Sequence, residues 1–268
     1  TFRRIVLPSL TENQSINGAY ASTAENVAEA FNTTVDNLEN TAFADGTRGD
    51  KVRDVTDAVQ AVINVKDGNV FGFSNVYLEG ERAIIRNEET NLGDVTADAN
   101  AAALRDAIGD VPYVISLKNG GGLRSSIGTV SDPDPVTGAI TKLPTEANPD
   151  ANKPAGAISQ LDIENSLRFD NKLMAFDTTV QGLLNILNWG AGLGPNNGGF
   201  PQIGGVAYSY DPTLSGNVGT TPGSRIRDLA LIDEDGNVIV KLVDNGVVLQ
   251  DVPSRITVVT LNFTANGG

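Results

Sequence analysis

The hydrophobic periodicity of the chain changes along its length, from helical spacing in the first half to strand-like alternation in the last third. Asp50, Asn91 and either Thr178 or Thr179 are placed to cap three of the predicted helices. The helical spacing predicts helices at residues 22–38, 50–65, 91–108, 161–166 and 178–188. In the third of these an apolar stripe predicts a core-facing side, made of Leu92, Val95, Ala99, Ala103 and Leu104.

Strands are predicted where apolar residues alternate with small or polar ones, or run together between turn residues. Asp235-Gly236-Asn237 and Asn245-Gly246 are typical of hairpin turns. The predicted strands cover residues 70–78, 111–117, 172–176, 203–210, 226–232, 238–243 and 256–263. With helices early and a largely antiparallel sheet late, the chain is expected to be α/β or α+β.

Two parts are expected. Residues 1–68, rich in Asn, Thr, Ser and Ala, are interpreted as a partly helical connecting segment that docks on the main domain, residues 69–268. Thr1 is not a translation start, and the chain stops directly after a predicted strand, where a turn should lead onward. The sequence therefore predicts a fragment or a processed product that is truncated at its C-terminus.

Composition restricts the chemistry that the chain can perform. Asp and Glu number 33 against 19 Lys and Arg, a net charge of −14, which argues against nucleic acid or an anionic membrane surface as a partner. No apolar run approaches the length of a membrane span. There is no cysteine and no histidine, so thiolate chemistry, serine–histidine triads and histidine-ligated metal sites are excluded.

Carboxylate pairs and oxygen-ligated cations remain possible. Residues 129–156 are rich in Pro, Asn and Asp and are expected to form a long surface loop. Within it Asp132 and Asp134 are a candidate calcium pair, although an Asp-Pro-Asp-Pro run is more often a solvated turn.

The most distinctive local feature is a buried strand that ends in a triple-glycine turn. Asn119-Gly120-Gly121-Gly122-Leu123-Arg124 follows the apolar residues 111–117. Glycines permit a close approach of the backbone, and Arg124 adds a planar cation suited to phosphate or carboxylate. Arg82 and Arg86 flank an apolar pair elsewhere. The spacing alone favours ordinary surface salt bridges for all three arginines.

Two phenylalanines stand at the edges of predicted loops. Phe169 lies in a polar stretch between a helix and a strand, and Phe263 lies at the tail of the last strand. Two such rings could hold a flat heterocycle, since offset stacking contributes about 0.5–1.5 kcal/mol per pair beyond burial. Taken singly, each ring is more typical of the rim of a core.

Five motifs follow one another in an order that is specific although no single motif is decisive. They are Glu79-Gly80-Glu81-Arg82 with Arg86 and Glu89-Thr90-Asn91-Leu92-Gly93; Asn119-x-Gly121-Gly122-x-Arg124; Phe169-x-Asn171; Gly199-Phe200-Pro201-Gln202; and Asn262-Phe263-x-Ala265-x-Gly267-Gly268. Over about residues 70–268 the chain resembles the C-terminal, substrate-binding domain of the 5′-nucleotidase / UDP-sugar hydrolase / 2′,3′-cyclic phosphodiesterase family.

The resemblance implies a bacterial exported enzyme of two domains, periplasmic or extracellular. An N-terminal metallophosphoesterase domain holds two divalent metal ions and activates water, and the C-terminal domain binds the nucleotide. The resemblance implies a substrate-binding set in which Arg82, Arg86 and Arg124 face the phosphate and sugar, Phe169 and Phe263 sandwich the base, Asn171 bonds a base edge, Gly198 lies close to the base, and Asn119, Gly121 and Gly122 complete the glycine turn.

The sequence departs from the family pattern in three places. Arg168 stands where a proline is usual, residues 129–156 form a longer insertion, and the Gly-Gly-Asp-Gly continuation stops at Gly268, before an aspartate expected to contact the ligand. Because the metallophosphoesterase signatures require histidine, this chain alone is expected to bind no metal cofactor and to bind nucleotide without hydrolysing it. Its expected partner is the metallophosphoesterase domain in cis.

Two other functions stay open. One is an extracellular structural or adhesion-type module that keeps the nucleotidase fold while its site has drifted, which the Ser/Thr/Asn-rich first third favours. The retention of three arginines and two phenylalanines favours the nucleotide site instead. The other is a self-sufficient hydrolase that uses paired carboxylates at Asp98 or Asp177, neither of which has an evident partner in the sequence.

Overall fold

The computed structural model describes residues 23–109 and 111–267. The chain divides into two compact units between Val65 and Lys66. Its helices are α1 (Ala24–Ala30), α2 (Arg48–Gly68), α3 (Arg82–Ile85), α4 (Asn91–Ile108), α5 (Gln160–Ser166), α6 (Val180–Gly192) and α7 (Asn262–Ala265). Its strands are β1 (Val70–Phe73), β2 (Val114–Asn119), β3 (Thr129–Val130), β4 (Lys142–Leu143), β5 (Ala157–Ser159), β6 (Leu173–Thr178), β7 (Pro201–Gly204), β8 (Val206–Tyr210), β9 (Ile226–Ile232), β10 (Val238–Asp244), β11 (Val247–Val248) and β12 (Ile256–Leu261).

The first unit contains α1 and most of α2. The prediction of a single helix up to Leu38 is wrong, because Asn32 has a φ of 49° that ends α1. The predicted start at Ser22 lies outside the described residues, and the observed cap is Thr23, whose side chain accepts from the Asn26 amide. Ala28, Leu38 and Ala42 form the small core of this unit.

Helix α2 begins before the residue expected to cap it. The Thr47 hydroxyl oxygen accepts from the Asp50 amide at 3.1 Å, so Thr47 is the cap and Asp50 lies in the first turn. The Asp50 carboxylate in turn accepts from the Gly46 amide at 2.9 Å. The apolar residues at helical spacing in α2 do not form a buried side, because Val52 and Val59 are more than half exposed.

The second unit is built on two four-stranded sheets. The central sheet has the order β6-β12-β2-β7, with β12 and β2 parallel and the other neighbours antiparallel. The second sheet, β11-β10-β9-β8, is antiparallel throughout. Mixed helices and sheets of this kind confirm the predicted α+β class. None of the described helices combines the length and the hydropathy needed to cross a bilayer.

Helices α4 and α6 pack on opposite faces of the central sheet. On β2, Val114 belongs to the cluster that contains Leu104 of α4, whereas Ile115 belongs to the cluster that contains Leu183 of α6. Adjacent residues on a strand point to opposite faces, which places the two helices on either side. The α6 cluster also takes in Leu229 and other residues of the second sheet, so the main core lies between the two sheets.

Several predicted strands have different bounds. The strand expected at residues 203–210 is β7 and β8, which lie in different sheets and are separated by Gly205 at a φ of 82°. The last strand ends at Leu261, so Phe263 lies on α7 rather than on a strand. Strand β1 stops at Phe73, because the Ser74 side chain bonds to the Val76 backbone and turns the chain.

Other predictions hold closely. Strand β9 has the predicted bounds, and the turn at Asn245-Gly246, with φ values of 51° and 82°, joins β10 and β11 as a two-residue hairpin. Helix α4 ends at Ile108 as predicted, but Thr90 is its cap, accepting from the Gly93 amide at 3.1 Å. Of the predicted stripe on α4, Leu92 and Leu104 are buried whereas Val95, Ala99 and Ala103 are exposed.

The 129–156 insertion is partly ordered by its own hydrogen bonds. Strands β3 and β4 pair, and one carboxylate oxygen of Asp134 accepts from the Val136 amide and from the amide and hydroxyl of Thr137. This bonding is that of an Asx turn, which accounts for the Asp-Pro-Asp-Pro run without a cation.

A buried cation holds the end of the insertion to the rest of the unit. The Lys153 ammonium, 6% exposed, lies 2.8 Å from the Asp67 carboxylate and 2.7 Å from that of Asp162. The Ser159 hydroxyl lies within hydrogen-bonding distance of both carboxylates. The cation is therefore fully paired, as a buried charge must be if it is not to destabilise the fold.

Candidate functional site

A cavity of about 890 Å³ opens beside the C-terminal end of β2. It brings together nine of the ten residues of the predicted binding set: Arg86, Asn119, Gly121, Gly122, Arg124, Phe169, Asn171, Gly198 and Phe263. Arg82, on α3, is not among the described residues that line it. The cavity draws on segments that are far apart in sequence, so only the fold brings them together.

The triple-glycine turn approaches the chain's own backbone. Gly120 to Gly122 form a 3₁₀ turn in which the Gly121 amide donates to the Gly198 carbonyl at 2.8 Å. A β-carbon on Gly121 would lie 2.9 Å from the Gly198 Cα, and one on Gly120 would lie 2.2 Å from the Ile85 carbonyl oxygen. The glycines are required because two cavity walls touch here, and this contact places Gly198 inside the site.

The arginines are close together and unpaired. Within the described residues none of Arg82, Arg86 and Arg124 makes an ion pair, so the surface salt bridges that their spacing suggested are not present. Burial lowers the pKa of Arg86, and the positive charges of Arg82 and Arg124 lower it further. Three mutually repelling cations beside a cavity favour the binding of an anion.

Arg124 is held in place from two sides. Its guanidinium donates to the Gly121 carbonyl at 3.2 Å, and its central carbon lies 5.8 Å from the centroid of the Phe169 ring. This distance is that of a cation–π contact. The same ring that would stack on a ligand therefore also orients the cation beside it.

Both phenylalanines of the cavity lining keep about half of their surface exposed. Phe169 is 56% exposed and Phe263 is 50% exposed, and neither belongs to a core cluster of the described residues. The backbone and side chain of Asn262 bond to the backbone of Lys172 at 2.8–2.9 Å, which ties α7 to the segment carrying Asn171. Asn171 lines the cavity and makes no hydrogen bond within the described residues, so its amide is available to a ligand.

The sequence reasoning missed one wall of the cavity. Helix α6 contributes Asn185, Ile186 and Trp189, and Pro222 lies on the same lining. The sequence shows that α6 contains no charged residue, but only the structure shows that Trp189 on this helix is 40% exposed. A second missed residue is Lys118 on β2, which lines the cavity and is only 4% exposed.

Two departures from the family pattern do not alter the cavity. The exposed Arg168 turns back to donate to the Asn165 carbonyl at 3.1 Å and does not line the site. None of the described residues from 129 to 156 lines it either. Lys142 of the insertion instead pairs with the Glu79 carboxylate.

The two divalent metal ions implied by the resemblance do not fit the residues present. The sequence has no histidine, and no three Asp or Glu side chains of the described part are grouped so that they could hold a metal ion. Asp177 pairs with Arg255 at 2.6 Å and accepts from Thr257, and neither it nor Asp98 lines the cavity. No hydrolytic step is derived from these residues.

Comparison with known proteins settles the family. The sequence profile of the 5′-nucleotidase C-terminal domain matches residues 70–268. The chain belongs to this family. A protein named trifunctional nucleotide phosphoesterase YfkN, from Bacillus subtilis, is 28% identical over 206 residues, which cover 76% of this chain and 11% of that protein.

A solved structure agrees in fold. The 5′-nucleotidase precursor from Thermus thermophilus is 26% identical, with a TM-score of 0.57 over 83% of this chain and 35% of that one. The chain thus spans about a tenth of the length of the curated relative and about a third of the length of the solved one.

Proposed function

We propose that this chain is the substrate-binding domain of a bacterial, exported metallophosphohydrolase of the 5′-nucleotidase family, and that it binds a nucleoside phosphate. The observation that carries the proposal is the cavity in which two half-exposed phenyl rings lie beside unpaired arginines. A nucleotide has the matching parts, a flat heterocycle at one end and an anion at the other.

Each group of the cavity has a defined role in this proposal. Phe169 and Phe263 stack on the base, and Asn171 bonds its edge. Arg86 and Arg124 bind the phosphate and sugar end, with Arg82 adding positive charge from outside the lining. Charge-assisted hydrogen bonds to such cations contribute about 1.5–3 kcal/mol each, more than the stacking of one ring.

Hydrolysis, in this proposal, belongs to a metal-bearing domain of the same protein, which the described residues do not include. The greater lengths of the relatives support a partner domain in cis. The solved relative is a 5′-nucleotidase precursor, which supports export. The purified chain should bind AMP and release no phosphate when divalent metal ions are added.

Calorimetric titration of the full chain with AMP tests the binding site. Phe169→Ala should weaken binding about 2- to 10-fold, and Arg124→Ala about 10-fold or more, from the stacking and hydrogen-bond energies at about 1.4 kcal/mol per tenfold. Phe73→Ala and Arg255→Ala are matched controls, because both residues are exposed and lie outside the cavity lining.

Equal affinities for AMP in the site variants and in the control variants would refute the proposal. The absence of any binding heat in the wild-type chain would favour the structural module instead. Release of phosphate from AMP by the purified chain would show that it carries its own catalytic groups.

A further inference from the structure

Helix α6 has an apolar side that is buried in the core and an uncharged side that lines the cavity. Its core side buries Val180, Leu183 and Leu187. The opposite side presents residues 185, 186 and 189, spaced as one helical face, to the cavity, and Leu193 lines the cavity directly after the helix, in extended backbone. A helix on the surface of a domain ordinarily carries charged residues on the side away from the core, and α6 carries none.

This face is ordered and partly open. Trp189 is 40% exposed, and its backbone carbonyl accepts from the Asn217 side chain at 2.8 Å, which fixes the end of the helix. The Asn185 carbonyl oxygen accepts from Gln181 at 3.0 Å, while its amide nitrogen donates to nothing within the described residues. The face therefore offers an indole ring, aliphatic side chains and one free donor.

Charge in the cavity is confined to the other walls. The lining cations are Arg86, Lys118 and Arg124, from the end of α3, β2 and the glycine turn, and none comes from α6 or from Pro222. A phosphate at the α6 face would lose its hydration without gaining a cation, which is costly. An apolar or aromatic group would avoid that cost.

The cavity is also large for a single nucleoside monophosphate. At about 890 Å³ it lies near the upper end of the ~300–1,000 Å³ range of small-molecule sites. Phe169, Phe263 and the arginines account for one part of the lining, and the uncharged α6 residues are a further part of it.

We propose that Asn185, Ile186, Trp189, Leu193 and Pro222 form a neutral annex that receives an aromatic or apolar group attached to the base, so that the site favours nucleotides enlarged at the base end. This inference rests on the proposed function, because the uncharged wall can be assigned to the base end only if the arginines bind the phosphate end. Trp189 is then a specificity-determining residue.

The test compares AMP with N6-benzyl-AMP by calorimetry on the full chain, and measures the ratio of the two affinities. The single tryptophan of the chain adds an optical signal, since its emission should change on titration with the benzyl compound. An aromatic contact of about 0.5–1.5 kcal/mol predicts about 2- to 10-fold tighter binding of N6-benzyl-AMP.

Trp189→Ala should bring the affinity ratio close to one, and Trp189→Phe should keep part of the preference. Asn185→Asp serves as a second variant, because it changes charge but hardly size at an exposed position, and it too should remove the preference. Phe73→Ala, outside the cavity, should leave the ratio at the wild-type value.

The outcomes separate the annex from the nucleotide site. If AMP binds but the benzyl compound binds no more tightly, or if Trp189→Ala and Asn185→Asp keep the wild-type ratio, the annex is refuted while the proposed function stands. If neither compound binds, both proposals fail.

Discussion

Lys118 is a buried cation without a partner, and this makes its contribution to stability calculable. It lies on β2 with 4% of its surface exposed and makes no hydrogen bond or ion pair through its side chain within the described residues. Its register partner on β7 is Gln202, whose amide is already bonded to the backbone of Thr90, Ile85 and Glu88. Burial lowers the pKa of Lys118 from 10.5 to about 8.

Because the pKa of Lys118 differs between the folded and the unfolded chain, the free energy of unfolding depends on pH. The unfolded chain holds the proton of Lys118 up to about pH 10.5, whereas the folded chain releases it near pH 8. Between these values the unfolded state binds more protons, so the free energy of unfolding rises with pH. At 1.36 kcal/mol for each tenfold difference, the charged side chain costs the fold about 3 kcal/mol at pH 7.

Lys118→Met keeps the length of the side chain and removes the charge. It should raise the free energy of unfolding at pH 7 by up to about 3 kcal/mol, and this gain should shrink between pH 8 and pH 10.5. Urea unfolding of both proteins across pH 6–11 measures the difference. The exposed Lys51, changed to Met, should show no such pH-dependent gain. A destabilised Lys118→Met at pH 7, or a gain independent of pH, would refute the reasoning.

Further predictions use the same unfolding assay. Lys153→Met is the opposite case, because it leaves the Asp67 and Asp162 carboxylates without their cation, and the free energy of unfolding should fall by about 3–5 kcal/mol; a gain would contradict the pairing. Gly121→Ala should cost about 1–3 kcal/mol, because its β-carbon would meet Gly198 at 2.9 Å, and Gly122→Ala, with 3.1 Å to a movable side chain, should cost less. Burial and the charge of Glu89 raise the pKa of Asp94 from 3.8 to about 7, so the folded state binds more protons and stability should fall from pH 4 to pH 7. Asp94→Asn should reduce that fall but leave a part of it, because burial also raises the pKa of Asp98, and an unchanged profile would contradict the prediction.

Local patterns were enough where the decisive interactions were local. Strand β9 and the Asn245-Gly246 hairpin follow from alternation and from residues that tolerate a positive φ. Thr90 and Asn91 are both good cap residues, and only the tertiary contacts of Asn91 with Tyr77 and Glu79 decide which of them caps α4. The division of the predicted strand 203–210 depends on a contact across the sheet. There Gly205 lies so close to β2 that a β-carbon would come within 2.8 Å of the Val114 carbonyl oxygen.

For the candidate site, too, the sequence patterns did not predict the features that depend on tertiary contacts. Nine of the residues that the family resemblance implies as substrate-binding line the cavity, because the motifs that carry the resemblance mark the loops and strand ends that converge there. The α6 wall was not predicted, since Ile186 and Trp189 fit the helical pattern of a core as well as they fit a cavity lining. The exposed fraction that separates the two interpretations is a property of the fold.

A crystal structure of the full chain with AMP tests the central claim most directly. The account predicts the adenine between Phe169 and Phe263, with the centroid of each phenyl ring about 4.5–7 Å from that of the adenine. It also predicts phosphate oxygens about 2.7–3.2 Å from the guanidinium nitrogens of Arg86 or Arg124. AMP bound elsewhere on the chain, or in the cavity with its base away from both rings, would contradict it.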